Sequence, residues 1–458
     1  MEKILIVSAF AHVKRTMHQT KENRRRVISI KIILFSFCCV LTTRCLAQNT
    51  MTLADCLSKT IETNYGLKIV QNEQEISKIN VNYSVFLPRL SLDGSQSSSW
   101  MNTVRRDVSG NEVNFNNITS NNFNASANFS WRLFDGASMF FIYKKSKEML
   151  AISELSMLMK MEQLIANVSS AYYNVWVQTK LLEAAENIVQ ISEERYKIAL
   201  AKHGIGSLSG LEMRQSKIDL NADSSLLMQQ QQALTNAYIQ LNTLMNIELL
   251  KSDYVDDTLL LLPMLNREKI NQNAVKNNTT LLIAQKGISI SELDIKTSFS
   301  AFYPTIDFNS GYQFFYTNNP ASITPMNRSN GFLFGLTVHI PLFNRMENYR
   351  QIQTARLAQT NAELSYKELE LRVLSSLAEL YNIYQNNLLL LEFENQNIEI
   401  ATESLDAAMD KYRIGSLSGL EFREFQRSYI EAVKRLMSSS YQAKVSEIGL
   451  LLMSGNLK

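Results

Sequence analysis

The side chains that could support chemistry are few, and the best-spaced among them lie in a repeated turn. The segment IGSLSGLE occurs at Ile205–Glu212 and again, identical at every position, at Ile414–Glu421. In each copy a serine, Ser209 or Ser418, precedes a glutamate by three residues. This is the spacing of a capping box, in which the serine side chain accepts a hydrogen bond from the glutamate amide and the glutamate side chain accepts one from the serine amide. The spacing therefore predicts the start of a helix in each copy.

Other reactive residue types do not form a constellation. After residue 47 the sequence contains two histidines, His203 and His339, and one cysteine, Cys56. No group of cysteines and histidines has the spacing of a metal site, and the sequence contains no phosphate-binding loop and no nucleophile elbow. The sequence therefore predicts no enzymatic activity, no metal site and no cofactor. We interpret His203 as a solvated residue beside the first turn.

The charge of the chain is unevenly distributed, although the formal net charge is +3. Residues 1–47 hold nine Lys or Arg and two acids, so the remaining 411 residues carry 37 bases and 41 acids, a net charge of −4. The excess of bases therefore belongs to the first segment alone. Because nucleic-acid binding depends on clustered positive charge, the sequence predicts no nucleic-acid partner.

The first 47 residues resemble an export signal. The basic block Arg24–Arg26 precedes the apolar run Ile33–Leu41, and Cys45–Ala47 offers small residues at positions −3 and −1 of a signal-peptidase site. The apolar run is shorter than the roughly 20 residues of a permanent spanning helix, and a short membrane anchor is the alternative. The pattern predicts a signal peptide over 1–47 and an exported chain over 48–458.

Two long stretches lack both residues that interrupt helices. Glycine is absent from 137 to 203 and from 346 to 414, and neither stretch contains proline. Such stretches, rich in Leu, Glu, Gln, Lys and Ala, predict very long helices, each about 100 Å at 1.5 Å per residue. A heptad-like seam in the first stretch favours coiled-coil packing, and its polar members Gln178 and Ser192 predict that the seam is not fully apolar. Its members are Val168, Ala171, Val175, Gln178, Leu182, Ala185, Val189, Ser192, Tyr196 and Ala199.

The segments 89–135 and 303–343 are instead rich in Ser, Asn, Gly and aromatic residues. In FNASANFSWRLF, Phe123–Phe134, apolar and polar residues alternate, and Gly331–Phe343 ends in the same way. The residues predicted to share the apolar face are Phe123, Ala125, Ala127, Phe129, Trp131 and Leu133. This pattern is typical of membrane β-barrel strands, and a hairpin of a soluble sandwich is the alternative.

Each of these segments offers two strands, so the chain offers four. Four strands cannot close a barrel, and an open sheet edge in lipid would leave backbone groups without hydrogen bonds. If the strands lie in a membrane, several chains must therefore share one barrel.

The two halves of the chain correspond. The sequence predicts an internal duplication, with repeat 1 at about 51–255 and repeat 2 at about 267–455. Each repeat is predicted to contain a helix, a hairpin, a very long helix, a tight turn and a long helix. Besides the turns, the matching pairs are Phe86–Leu92 with Phe302–Phe308 and Trp131–Gly136 with Ile340–Arg345.

In this order the motifs resemble the TolC-like outer-membrane efflux family. The resemblance rests on MTLADCLSKTIETNYGLKIV near the start of the mature chain, the strand entries LPRL and YPTI, the strand ends WRLFDG and IPLF, and the two turns. It covers nearly all of 51–455 and rests on order and duplication, because no single motif is specific.

The resemblance implies a mixed α+β membrane protein that forms a homotrimer. Each protomer would give four strands, from 89–135 and 303–343, to a shared twelve-stranded barrel in outer-membrane lipid. Its helices, over 137–246 and 346–453, would continue the barrel as a periplasmic tunnel. The resemblance implies a passive exit duct for an inner-membrane pump joined through a periplasmic adaptor, in efflux or type I-like export.

The resemblance also assigns roles to the turns and the helices beside them. The family's entrance acids correspond to Glu421 and Glu424, which lie one helical turn apart and can share a helix face. Tyr412 and Glu212 stand where a tyrosine and an acid tie the two turns together. Leu417 stands where the family has a basic residue, so the resemblance does not supply that link of the closed state. The turn residues implied to dock the adaptor are Gly206, Ser207, Leu208, Ser209, Gly415, Ser416, Leu417 and Ser418.

Two alternatives to this interpretation stay open. The repeated turn can serve only to reverse the chain, in which case its glutamates only cap helices. The chain can also be a non-channel periplasmic coiled-coil adaptor or a cell-envelope scaffold. The strand segments distinguish these proteins from a channel, because a scaffold does not need four barrel-length strands.

Overall fold

The elements of the fold follow one order twice, which confirms the predicted duplication. A computed structural model of the chain describes residues 51–106, 108–252, 259–262 and 265–457, so the predicted signal peptide lies outside the described residues. All the elements belong to one unit, Leu53–Lys251 with Thr258–Lys458. They are α1 (Leu53–Thr63), α2 (Tyr65–Asn80), β1 (Arg89–Arg106), β2 (Glu112–Asp135), α3 (Ser138–Gly204), α4 (Gly210–Met245), α5 (Arg267–Asn277), α6 (Thr279–Ser300), β3 (Thr305–Asn318), β4 (Met326–His339), α7 (Glu347–Ile414) and α8 (Gly419–Met453).

The two very long helices are present as the sequence predicts. Helix α3 contains 67 residues and α7 contains 68, because no glycine or proline interrupts either. Both helices begin after a residue in the left-handed conformation, Ala137 at φ 70° and Met346 at φ 65°. In the part of the chain that the structure describes, no helix combines the length and apolar character needed to cross a membrane.

The four strands form one antiparallel sheet in the order β1-β2-β3-β4. The pairing places most apolar residues of neighbouring strands on one face and most polar residues on the other, as the alternation predicts, although Leu333 and Phe315 lie on the polar face. The apolar face includes Leu90, Leu92, Ala127, Phe129, Trp131, Phe308, Tyr312, Phe332 and Leu336. The polar face includes Ser91, Asp93, Ser126, Asn128, Arg132, Asp307, Asn309, Gln313 and Thr337.

The sequence pattern is wrong about Leu133. Arg132 pairs with Asp307, but the next pair along the strands is Phe134 with Ile306. Leu133 is therefore an extra residue, a β-bulge, and the alternation shifts by one after it. Phe134 takes the place on the apolar face that the pattern assigns to Leu133. The Arg132 Nε donates to Asp307 Oδ1 over 2.9 Å beside the bulge.

The residues of the predicted seam of α3 are buried or half-buried, and the seam is part of a wider contact. Val168, Val175 and Ala199 on the seam are fully buried, and so is Tyr172 beside it. The buried surface is wide because α3 packs against α4, α6 and α8, so several of its faces are covered. Gln178 is satisfied inside the seam, where its Oε1 accepts from Gln230 Nε2 over 2.7 Å.

The order of the helices repeats the order of the strands. Near the sheet, α2 packs against α3, α3 against α6 and α6 against α7. Towards the repeated turns, α4 packs against α3, α3 against α8 and α8 against α7. One flank of the protomer is therefore formed by β1, α2 and α4 from repeat 1. The other flank is formed by β4 and α7 from repeat 2.

Leu260 and Leu262, between the two repeats, are held by a buried ion pair of α8. Lys444 Nζ donates to Leu260 O over 2.7 Å and lies 2.7 Å from Glu447 Oε1. Glu447 Oε2 accepts from the Leu262 amide over 2.9 Å, and Tyr384 donates to Leu262 O over 3.2 Å. Each buried charge thus has a partner, as burial requires. Leu260 and Leu262 are thus fixed beside the core that α5, α6, α7 and α8 share.

We expect Gly136→Ala to destabilise the junction between the sheet and α3. Gly136 has φ +70°, and an added Cβ would lie 2.3 Å from Ser300 O and 2.9 Å from Tyr303 Cβ. The left-handed backbone and the contact with fixed backbone together should cost about 2 kcal/mol or more. The control is Gly94→Ala in β1, where an added Cβ meets nothing within 4 Å. The melting temperature of the helical circular-dichroism signal in detergent measures both, and equal values for the two variants would contradict the expectation.

Candidate gate at the repeated turns

The two copies of IGSLSGLE end their helices in the same way. Gly206 and Gly415 adopt the left-handed conformation, at φ 77° and 83°, which glycine tolerates at low cost. The glycine and the following serine donate their amides to carbonyls of the last helical turn, which is the Schellman arrangement. The outer bonds are Ser207 N to Lys202 O and Ser416 N to Lys411 O, both 2.9 Å.

The second copy contains the complete capping box, and the first contains half of it. Ser418 Oγ accepts from the Glu421 amide over 3.2 Å, and Glu421 Oε2 accepts from the Ser418 amide over 3.0 Å. In the first copy Ser209 Oγ accepts from the Glu212 amide over 3.2 Å, while the Glu212 carboxylate accepts from the Ser209 hydroxyl instead of its amide. The backbone amide and then the hydroxyl of Ser418 lower the pKa of Glu421 below its ordinary value.

The predicted entrance acids lie on the exposed surface of the first turns of α8. Glu421 and Glu424 are both exposed and one helical turn apart. Arg423 between them turns the other way, towards α4. Arg427, also exposed, follows Glu424 by three residues and adds a positive charge that the sequence interpretation did not consider.

Tyr412 lies in the core between the two hairpins. It is 4% exposed, its ring packs against Phe422 with 5.4 Å between centroids, and Lys202 Nζ donates to its carbonyl over 2.8 Å. Burial raises the pKa of the Tyr412 hydroxyl, the neighbouring Arg195 guanidinium lowers it by less, and the Glu212 carboxylate raises it again. Tyr412 and Glu212 are thus electrostatic neighbours, and Arg195 lies beside the same hydroxyl.

The strongest connection between the hairpins lies deeper than the turns. Asp223 of α4 is 4% exposed and receives both Nη1 and Nη2 of Arg423 from α8, over 2.6 and 2.8 Å. Its Oδ2 also accepts from Ser192 Oγ of α3 over 2.5 Å. Gln426 of α8 donates to the same Ser192 oxygen over 2.9 Å. One carboxylate therefore connects three helices.

Arg195 of α3 extends this arrangement. It is 2% exposed, its Nη2 lies 2.7 Å from Asp219 Oδ2 of α4, and its Nη1 donates to Gln426 Oε1 over 3.4 Å. The guanidinium also lies over the Phe422 ring, 5.7 Å from its centroid. We call the connected set the tip cluster, namely Ser192, Arg195, Asp219, Asp223, Arg423 and Gln426. Its two acids and two bases balance, as a buried set of charges requires.

The sequence interpretation did not identify the tip cluster, although one signal was available. Ser192 stands in the predicted seam of α3, and Arg195 follows it by three residues, so the two side chains share a helix face. Asp219 and Asp223 are four residues apart and share a face of α4 in the same way. Polar residues on the core faces of two paired helices indicate a buried network.

Comparison with known proteins decides the family. The sequence profile of the outer membrane efflux protein family matches residues 70–246 and 270–456, one segment in each repeat. The chain belongs to this family. The cation efflux system protein CusC of Escherichia coli strain K12 is 22% identical over 373 residues, 80% of this chain and 78% of that protein.

Solved structures of outer-membrane channels share the fold of this efflux protein. A crystal structure of CusC matches with a TM-score of 0.71 and 18% identity, covering 90% of this chain and 95% of that one. The outer membrane channel CmeC of Campylobacter jejuni matches with a TM-score of 0.73 and 17% identity, covering 88% and 85%. The protein is therefore an outer-membrane efflux channel, and the alternative of a non-channel adaptor or scaffold is not supported.

We expect Arg423→Gln to destabilise the efflux protein far more than loss of a surface arginine. The change leaves the buried Asp223 carboxylate without its bidentate partner, which should cost about 2 kcal/mol, less than for a fully buried pair because Arg423 is partly exposed. The matched control is Arg372→Gln, whose partner Glu368 is also exposed, with an expected cost of about 0.5 kcal/mol or less. Denaturant unfolding in detergent, followed by circular dichroism, measures both. Equal midpoints would show that the Arg423 pair does not stabilise the tip.

Proposed function

We propose that three copies of this chain form one channel across the outer membrane. The observation that supports it best is the four-stranded sheet with one apolar face and two edges, β1 and β4, that have no partner strand in the described protomer. Inside a bilayer every strand edge must be hydrogen-bonded, so β4 of one copy must pair with β1 of the next. Three copies then close a barrel of twelve antiparallel strands, within the range of outer-membrane barrels.

The flanks of the helical region support the same assembly. On α2 the residues at heptad spacing are 57–70% exposed, although such a seam is normally buried. They are Tyr65, Ile69, Ile76 and Ile79. On the opposite flank, α7 exposes Leu357, Leu364 and Leu371, seven residues apart. Exposed apolar rows of this kind mark an interface, and head-to-tail packing of three copies would bury both rows together.

In this proposal the channel is a passive duct that an inner-membrane pump drives through a periplasmic adaptor. The adaptor would grip the two turns, Gly206–Ser209 and Gly415–Ser418. Equivalent apolar residues flank both turns and are exposed: Ile205 and Leu211 in the first, Ile414 and Leu420 in the second. The duplication thus presents the same apolar and glycine-containing shape twice, which supports a partner that recognises both.

We also propose that the exposed acids of α8 form the entrance. In a trimer Glu421 and Glu424 would make two stacked rings of three carboxylates. Like charges at close range repel, so the rings would attract cations and resist tight closure. Glu212 and Tyr412, one from each hairpin, would tie the hairpins together.

The oligomeric state tests the assembly directly. We expect the mature protein, purified in detergent, to have three times the mass of one chain after the detergent is subtracted, because the strand edges must pair. Light scattering with refractive-index detection measures this mass. A folded monomer that keeps the full strand signal in circular dichroism would overturn the proposal.

Neutralising Glu424 tests the proposed entrance. We expect Glu424→Gln to lower cation over anion selectivity in planar bilayers, because it removes three charges from the ring and lies outside the capping box. The Glu424→Gln variant keeps the Glu421 carboxylates. Because the pKa of Glu421 is lowered, these carboxylates stay charged until the pH falls below that pKa. The cation selectivity that remains in the variant should therefore persist in mild acid. The matched control is Glu75→Gln on α2, which is exposed but distant in sequence from the turns. Unchanged selectivity in the Glu424 variant would mean that the repeated turn serves only to reverse the chain and to dock the adaptor.

A further inference from the structure

The turns between the strands lie at the end of the sheet that is away from the helices. Helices join the sheet at one end, because α2 precedes β1, α3 follows β2, α6 precedes β3 and α7 follows β4. The β1–β2 turn and the β3–β4 turn would therefore lie at the outer mouth of the proposed barrel. The two hairpins differ in length, since β1 and β2 contain 18 and 24 residues whereas β3 and β4 contain 14 each. The β1–β2 hairpin thus extends beyond the β3–β4 turn.

A straight β1–β2 hairpin could not touch the β3–β4 turn. Arg105 of β1 pairs with Val113, which lies eight residues before Asn121, the first residue of β2 that pairs with β3. Eight strand residues span about 26 Å. Ala321 lies three residues after the end of β3 at Asn318, and three residues span about 11 Å at most. The gap that remains is longer than an arginine side chain, yet Arg105 Nη1 donates to Ala321 O over 2.9 Å. The hairpin must therefore bend.

The bend has a local cause, a β-bulge in β2. The pairing of β1 with β2 shifts between Met101 and Thr103, where two residues of β2 lie opposite one residue of β1. Asn117 in this bulge has φ 53°, a conformation that asparagine adopts more readily than most residues. Its amide donates to Asn102 Oδ1 over 2.7 Å, which fixes the bulge to β1. Because a bulge bends the strand that contains it, the outer part of the hairpin changes direction here.

The contact lies on the face of the sheet that would line the channel. The bulge adds its extra residue to β2, so β1 keeps its alternation and Arg105 lies on the polar face with Asp93. The Arg105 guanidinium also lies over the Phe115 ring of β2, 5.2 Å from its centroid. In the β3–β4 turn the Ala321 amide donates to Asn319 Oδ1 over 3.0 Å, and Ala321 is 6% exposed. The hairpin and the turn therefore meet on the channel side of the sheet.

We propose that Arg105 holds the β1–β2 hairpin against the β3–β4 turn at the outer mouth, and that this contact sets the largest molecule that can leave the channel. The proposal rests on the trimer of the proposed function, in which three such contacts would narrow one opening. A hydrogen bond from a guanidinium is stronger than a neutral one, so removing Arg105 should release the hairpin. The neighbouring Arg106 lies on the opposite face and pairs with the exposed Glu112, which makes it the matched control.

A cysteine inside the barrel tests the proposal independently of the periplasmic entrance. Ser95 is exposed on the polar face of β1, so Ser95→Cys would place a thiol in the channel. Cells that carry the full-length protein are treated from outside with maleimide polymers of graded size, and labelling is measured by the mass shift on a denaturing gel. We expect Arg105→Ala to be labelled by polymers that leave the Ser95→Cys parent unlabelled. Arg105→Lys, which can still donate to Ala321 O, should keep most of the size limit, and Arg106→Ala should leave it unchanged.

Equal size limits in Arg105→Ala and Arg106→Ala would overturn the proposal. Asn319→Ala removes the acceptor of the Ala321 amide without altering a strand, so it should also raise the limit, and it decides the outcome if Arg105→Ala does not assemble. The unsubstituted protein, whose Cys56 is buried, measures background labelling.

A small maleimide and the mass in detergent separate this proposal from the assembly on which it rests. We expect the small reagent to label the Ser95→Cys thiol equally in all variants. If it does not reach this thiol in a protein whose detergent mass is that of a trimer, the polar face does not line the channel and the proposal is overturned. A monomeric mass would overturn the proposed function itself.

Discussion

The unpaired edges of a four-stranded sheet impose the constraint on which the other features depend. A strand edge exposed to lipid cannot exchange its hydrogen bonds for bonds to water, so the sheet must find a partner for β1 and for β4. The order of the helices copies the order of the strands, with α2 and α4 on the β1 side and α7 on the β4 side. Closing the sheet with further copies therefore also covers the helical flanks. The threefold rings of the proposed entrance therefore follow from the need to pair the strand edges in the barrel.

Duplication doubles this architecture, but it does not make the two halves electrically equal. Both turns keep the same backbone bonds, because reversing the chain demands the same geometry twice. The helices that leave the turns have diverged, since Asp223 in repeat 1 corresponds to Ala432 and Gln426 in repeat 2 corresponds to Lys217. Ala432 cannot accept the bonds that Asp223 accepts, so the network has no counterpart at the corresponding positions of the other repeat.

The features that could be predicted from the sequence are those that a local pattern determines. The 67-residue helix follows from the absence of glycine and proline, and the strands follow from an alternation that repeats along each of them. The bulge at Leu133 could not be predicted, because nothing in the alternation marks which residue will lack a partner. The tip cluster was missed for a related reason. Arg195 and Asp223 look like members of solvated helix faces until the partner helices are known, and their partners lie 24 and 200 residues away.

The depth of the tip cluster has a physical consequence for the proposed entrance. Two long helices with a heptad-like seam can slide by seven residues and still bury apolar side chains, so hydrophobic packing alone specifies their register weakly. A slide of that size would separate Arg423 from Asp223 and Gln426 from Ser192, and would leave buried charges without partners. The cluster therefore selects one register of α8 against α3 and α4. Because Glu421 and Glu424 lie on the same first turns of α8, that register also fixes their height relative to the two turns. In the proposed rings, Glu421 and Glu424 must lie at the same height in every copy. The buried pairs of the tip cluster would ensure this, because they do not allow α8 to slide.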